Sequence, residues 1–475
     1  METIIELLNS NPELAIEKIK KQTKSVDKIK EYQKEYIEHD RTMRRSQVGN
    51  LQKDKVIGEG EKSKVVDAVR IPINFAKKIV TTSAAFELGK PVTLTPSVDN
   101  NLAKLVKEIW KVNRCDSTLQ KILKLKKAET QGAIHVYIAD VKESSLLNKI
   151  LVTLALKSQK KEIKTKVLDN KNGIMTPYFD ATGDLILFMW EYEVVNSDDK
   201  TVKHIEIWDD KLFYHFTDES GSMATSDKKK THGFDRIPII YDSQDFPEWF
   251  DVKEMIDRIE TTMSKLGASN DYTAYPLLQI FGKVESFPDK DESGKVLQFP
   301  ISMDDDGKPV HGKAEFLTAD TAAESQKLEL EKLEDFIYSI SSTPNLSFDN
   351  VKGIGAVSGI ALKLMFLDAM LKASMNEGEN RTMIERLLNV IISGIVNTTT
   401  TSLKKDSETL YFDVEFNSIL PDDLKEAVEI VSAATAAGIM SKKTGVSYLS
   451  MTDNADEELS QIEREVKIPE KKPLE

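Results

Sequence analysis

Apolar positions along this chain repeat with two different periods, and each period predicts a kind of element. From residue 72, Ile73, Ala76, Ile79, Val80 and Ala84 fall on one face at helical spacing. This predicts a helix opened by Pro72, whose missing N–H costs nothing in a first turn, and stopped by Gly89 and Pro91. Leu102, Leu105, Val106, Ile109 and Trp110 form a second stripe at i, i+3, i+4, i+7 and i+8. A third helix is expected over 117–129, after which Gly132 hands over to an alternating strand at 133–139. Between about 150 and 245 the period falls to two, and 185–194, 202–208 and 212–216 read as a meander with turns at Thr182-Gly183 and Asp209-Asp210.

The helical period then returns twice. Val252, Met255, Ile256, Ile259, Met263 and Leu266 share one side of a helix expected to end near Tyr275-Pro276. Leu330, Leu333, Ile337 and Ile340 mark a second helix, starting near Asp320 and terminated by Pro344. Between them lies a short β insert with strand-like 277–281 and 315–317. Downstream, a glycine-rich stretch (345–359) leads to a helix capped by Ser358, reaching about Val396 and broken near Gly378. A strand at 411–416, a helix opened by Pro421 and closed by Gly438, a short helix capped by Ser441, an acidic helix and a polar tail complete the chain. The fold class expected is α+β, mainly α.

Composition narrows the chemistry. There are 78 acidic against 65 basic side chains, a net charge of −13, which argues against a broad basic surface gripping phosphates. The mean hydropathy of −0.35 and 30% charged residues describe a soluble globular protein. No apolar run approaches a membrane span and the first residues lack a signal-peptide pattern, so no membrane role is expected. Cys115 alone allows no internal disulfide and fits a reducing cytoplasm.

Several local patterns invite chemical readings that their spacing rejects. GEGEKSK (58–64) lacks phosphate-loop spacing and follows no convincing strand. Gly353, Gly355 and Gly359 depart from the dinucleotide fingerprint. Asp304-Asp305-Asp306-Gly307 would need a glutamate where Lys313 stands to bind calcium, and reads as a hairpin turn. His204 and His215 sit in strands without metal-ligand spacing. The basic run 41–45 reads first as a solvated surface or flexible arm. No catalytic residue, metal or cofactor is expected.

Four stretches, in order, carry a family resemblance: IPINFAKKIVTTSAAFELGKPV (71–92), RIPIIY with DVKEMIDRIE (236–241 and 251–260), ISSTPNLSFDNVKGIGAVSGIALKLMF (340–366) and FNSILPDDLKEAVEIVSAATAAGIMSKKTGVSYL (416–449). Together they resemble the portal family of long-tailed, double-stranded DNA phages. The resemblance implies a ring, usually of twelve subunits, that forms the channel at one capsid vertex for genome packaging and ejection. It divides the chain into an N-terminal helical arm (1–70), a wing (71–250), a first stem helix (251–275), a clip (276–318), a second stem helix (319–343), a tunnel loop (344–357), a long kinked helix with a wing strand (358–420) and a crown with tail (421–475). Asn345, Phe348, Asn350, Lys352, Gly353, Gly355 and Ser358 would then border the DNA at the tunnel loop. Implied partners are further copies of the chain, double-stranded DNA, the terminase large subunit, the major capsid and scaffolding proteins and a head–tail adaptor. The implied location is the virion, after assembly in the host cytoplasm.

Charge bears on the same reading. Residues 251–275 carry five acidic and three basic side chains, and residues 320–342 six acidic and two basic, so a ring of them would make a negative stem. Glu254, Asp257, Glu329, Glu334 and Asp335 are the candidates to face a channel, where they would repel phosphate over a screening length of about 8–10 Å. An acidic outer surface is the open alternative. Another ring-forming connector, or a nucleic-acid-processing enzyme, are the rival functional readings.

Overall fold

The computed structural model describes residues 3–38, 40–41, 52–60, 63–140, 161–219, 222–225, 229–273, 277–281, 284, 299–300, 302–303, 306–310, 312–317, 323–345, 364–420, 424–449 and 455–466. The chain opens with helices α1 (Ile4–Ser10), α2 (Pro12–Lys20) and α3 (Val26–Tyr36). Thr3 and Glu6 cap α1 reciprocally, and Asn11 ends α1 and begins α2 with its side chain on the Leu14 N–H. These helices are polar on one side only. Leu7, Leu8, Ala15, Ile16 and Ile19 bury against a face of the meander sheet formed by Leu187, Met189, Ile205, Ile207, Tyr214 and Phe216.

A hairpin follows, β1 (Lys55–Ile57) against β2 (Lys64–Val66). A strand therefore does precede Gly58, contrary to the sequence reading, but it returns as an antiparallel partner and makes no strand-to-helix phosphate loop. Helix α4 (Phe75–Leu88) starts three residues after the expected Pro72. Asn74 is its cap, accepting the Lys77 N–H at 3.0 Å, while Pro72 lies in a non-helical strap. Next come β3 (Thr93–Pro96), α5 (Asn101–Val112), α6 (Cys115–Glu129) and β4 (Gln131–Asp140), the last two wider than 117–129 and 133–139. All five stripe residues of α5 are buried.

The period-two region folds as two sheets. One runs β12–β4–β5, with β5 (Lys161–Leu168) and β12 (Ile239–Ser243) flanking β4. The other is the meander: β6 (Ile174–Phe179), β7 (Leu185–Val195), β8 (Thr201–Trp208), β9 (Leu212–Glu219) and β10 (Ser222–Thr225), with β11 (Lys230–Thr231) on β9. Every pairing in both is antiparallel.

Helix α7 (Lys253–Thr273) leads out to β13 (Leu277–Phe281), β14 (Ser302–Met303), β15 (Pro309–Val310) and β16 (Lys313–Leu317), and α8 (Ala323–Ile340) leads back. β13 pairs with β16 and β14 with β15, with Gly307 at a φ of 77° between the latter two, as a hairpin turn requires. Helix α9 (Leu367–Gly394) runs unbroken through Gly378, correcting the expected break; Ser358, its expected cap, lies outside the described residues. A π-helical turn (Ile395–Thr399) ends it. β17 (Phe412–Glu415) pairs with β3, joining distant parts of the chain. Helices α10 (Leu424–Ala436), α11 (Lys442–Leu449) and α12 (Ala455–Val466) close the fold, with Gly438 at a φ of 72° and Ser441 accepting the Thr444 N–H at 3.1 Å. The largest core lies among α4, α5, α6, α9, the three-stranded sheet and β17.

Candidate channel stem

The apolar stripes of α7 and α8 are used at their inner ends. Val252, Ile256 and Ile259, with Ile337, bury against Phe75, Ala76, Ile79 and Val80 of α4, and Leu330 and Leu333 pack onto the same cluster. On the same turn of α7, Arg258 Nε donates to Glu329 Oε1 at 2.6 Å and links the two helices. That pair is exposed and is worth no more than about 1 kcal/mol, so apolar contact holds the helices together.

A buried cation fixes the strap to α7. Arg41 is 2% exposed and its guanidinium forks onto Glu260, Nε to Oε1 at 3.1 Å and Nη2 to Oε2 at 2.8 Å. Nη1 donates to the Glu35 carboxylate and backbone carbonyl, and Asp257 lies 3.8 Å from Nη2. Burial opposes the charge on Arg41, but Glu260, Glu35 and Asp257 outweigh it and raise its pKa. Glu260 also accepts the Ile73 N–H at 2.8 Å, and Ser264 accepts the Ile71 N–H at 3.0 Å. Arg41 is therefore no solvated member of a basic patch; Arg44 and Arg45 lie outside the described residues.

A second buried knot sits where α8 ends. The Ser341 hydroxyl donates to the Ile337 carbonyl at 2.6 Å, Ser342 takes a φ of 53°, and the Thr343 N–H bonds the Tyr338 carbonyl. Pro344 then prevents continuation. Lys372 of α9 donates to the Ser341 carbonyl at 2.9 Å and pairs with Glu248 at 2.7 Å. Lys127 of α6 lies 3.2 Å from Glu248 and 2.8 Å from Glu87 of α4. Ser83 donates to Glu248, while Asn376 and Asn380 donate to Glu87 at 2.7 and 2.9 Å. Burial penalises ionised Glu248, yet Lys127 and Lys372 overcome it and hold the carboxyl at about 2. The end of α8 and the first turns of α9 thus meet at one network of two lysines and two glutamates.

The candidate stem carboxylates separate on this geometry. Asp257 and Glu329 are turned toward Arg41 and Arg258. Glu254 is exposed, Glu334 accepts from Asn345 Nδ2 at 3.4 Å, and Asp335 pairs with Lys332 in solvent at 3.3 Å. Asn345 is the described end of the tunnel-loop set. Phe348, Asn350, Lys352, Gly353, Gly355 and Ser358 lie outside the described residues. Sequence reasoning missed Glu87, Lys127, Glu248 and Lys372. One signal existed: Ser83 and Glu87 continue the buried face of α4 beyond Ile79 and Val80, polar groups where the period demands apolar ones.

Other candidates fall away. His204 Nδ1 and His215 Nε2 are 2.9 Å apart and bond each other. Among the described residues no group of three or more His, Cys, Asp or Glu is placed to hold a metal ion. Burial raises the pKa of the Cys115 thiol, which suits a core side chain and not a nucleophile. No described helix is long and apolar enough to cross a membrane.

The family model described as phage portal protein, SPP1 Gp6-like, matches residues 16–468. The chain belongs to that family. The SPP1 Gp6-like match takes in α7, α8, the β insert between them and the segment after Pro344. A curated relative, the portal protein of Clostridium phage phiCD119, is 25% identical over 264 residues, 54% of this chain and 54% of the relative. The alignment therefore spans about half the length of the curated relative. A solved structure described as the neck of a native GTA particle, computed with C12 symmetry, is 10% identical with a TM-score of 0.39, covering 80% of this chain and 92% of that one.

Proposed function

We propose that this protein is a portal subunit, identical copies of which close into a ring at a capsid vertex and pass double-stranded DNA during packaging and ejection. The reading is carried by a family match that runs through an out-and-back helix pair bearing a β insert. In it, α7 and α8 form the stem, residues 276–318 the clip, and residues 344–357 the loop that borders the bore. Glu254 and Asp335 are the exposed carboxylates available to repel phosphate from the wall. The role is structural: the motor that hydrolyses ATP is a separate terminase docking at the clip. The major capsid and scaffolding proteins and a head–tail adaptor are its further partners. The ring resides in the virion.

The test is genetic. Phage particles assembled without this protein are expected to contain no DNA, and supplying the protein in trans restores filling. DNA-filled particles in its complete absence would overturn the proposal.

A further inference from the structure

The β1–β2 hairpin is anchored but uncovered. Each strand has three residues, and all six are exposed, Val56 at 66%, Ile57 at 59% and Val65 at 60%. Val56 and Val65 are cross-strand partners and so share one face. Two strands alone are marginal in water and need a further layer. The hairpin base is nevertheless fixed to the stem. Arg70 pairs with Asp54 and donates to the Gln52 carbonyl, while Val69 and Ile71 pack so closely on Gly267 of α7 that a Cβ there would sit 3.2 and 3.1 Å from them. Such an arrangement holds an apolar face out from the stem.

Beside this strap lies an apolar groove of about 610 Å³, lined by Ile73, Phe75, Ile259, Met263, Leu266 and Leu330. The far side of α8 carries exposed apolar side chains too. Leu328, Phe336 and Ile340 are 57%, 52% and 49% exposed. At about 100° per residue their mean direction lies roughly half a turn from that of the groove-lining Lys327, Leu330 and Glu334. A closed ring is built from heterologous contacts, in which two different patches on opposite sides of each subunit meet. The stem carries such a pair. Apolar contact and not charge would carry such a seam, since Lys332 stands between Leu328 and Phe336 on the edge while Lys55 and Lys64 stand on the hairpin strands.

We propose that the seam between adjacent copies seats the Leu328–Phe336–Ile340 edge of one α8 against the Val56–Val65 hairpin face and adjoining groove of the next. This rests on the ring reading above and adds the residues that make the contact. All substitutions that test it are at exposed positions. Phe336→Glu destroys the edge, and the double change Val56→Glu with Val65→Glu destroys the hairpin face; Leu328→Asp stands in if Phe336→Glu melts below the wild type. Native mass spectrometry should find each variant monomeric with wild-type circular dichroism. An equimolar mixture, which retains one good edge and one good face, should give a one-to-one heterodimer and no ring. Rings from either variant alone would mean that something else covers these faces, and would overturn the seam. So would a mixture without heterodimer at ten times the concentration at which wild-type rings form. A wild type that forms no ring would instead sink the portal reading itself.

Discussion

Glu248 and Arg41 show how a chain of net charge −13 places ions inside its core. The Glu248 carboxyl is held at about 2, below the ordinary 4.5, by Lys127 and Lys372 against the opposing effect of burial. A carboxylate with a lowered folded pKa contributes stability that is complete above the unfolded value and fades as pH falls through the folded one. Stability from this group should therefore be lost between about pH 4.5 and pH 2. Glu248→Gln is expected to cost about 3 kcal/mol at pH 7, because buried Lys127, which keeps Glu87, and half-buried Lys372 would then face a neutral amide. It should also flatten the fall in urea midpoint between pH 5 and pH 3 relative to the wild type; parallel profiles would count against this account. Arg41→Met, which strips Glu260 of its partner, should cost about 3–5 kcal/mol. It should also speed amide exchange at Ile71 and Ile73, and unchanged exchange would show that the strap is held by other means. Neither knot was legible as such. Arg41 stands in a basic run that reads as solvent-facing, and Glu260 lies 219 positions away, beyond any local pattern. Glu87 alone left a trace, as a charge on a buried helical face.

Among the elements, those with long regular periods were readable. The stripe of α5, the strands of the meander and the out-and-back pair α7 and α8 all bury one face, and burial is what periodicity records. Short or exposed elements left no such record. The hairpin at 55–66 shows no burial pattern in this chain, and the start of α4 was misread because Pro72 is a plausible first-turn residue while Asn74 does the capping. Gly378 was read as a break, yet α9 passes through it with no atom within 4 Å of a Cβ position. Gly378→Ala should accordingly stabilise the subunit by about 1 kcal/mol, seen as a raised melting temperature; a lowered one would show that the helix needs the glycine there. Lys352 belongs to the same scale, since the segment after Pro344 works as a unit in the proposed function. Lys352→Glu is expected to impair packaging while leaving ring assembly intact, and normal DNA content in heads carrying it would contradict that role.

For the molecule as a whole, the resemblance carried by four ordered stretches and the family match over residues 16–468 agree on kinship. Fold class was readable because secondary structure depends on nearby residues. Which stem face meets DNA was not, because that depends on neighbouring copies whose contacts leave no period in the sequence. The surviving exposed carboxylates, Glu254 and Asp335, gain a channel role only in a closed ring. Single-particle electron microscopy of the purified full chain at high concentration tests this most directly. It should show an annulus of identical copies with an axial opening wide enough for a DNA duplex, bordered by residues 344–357. A compact monomer, or a ring with that segment turned away from the axis, would contradict it.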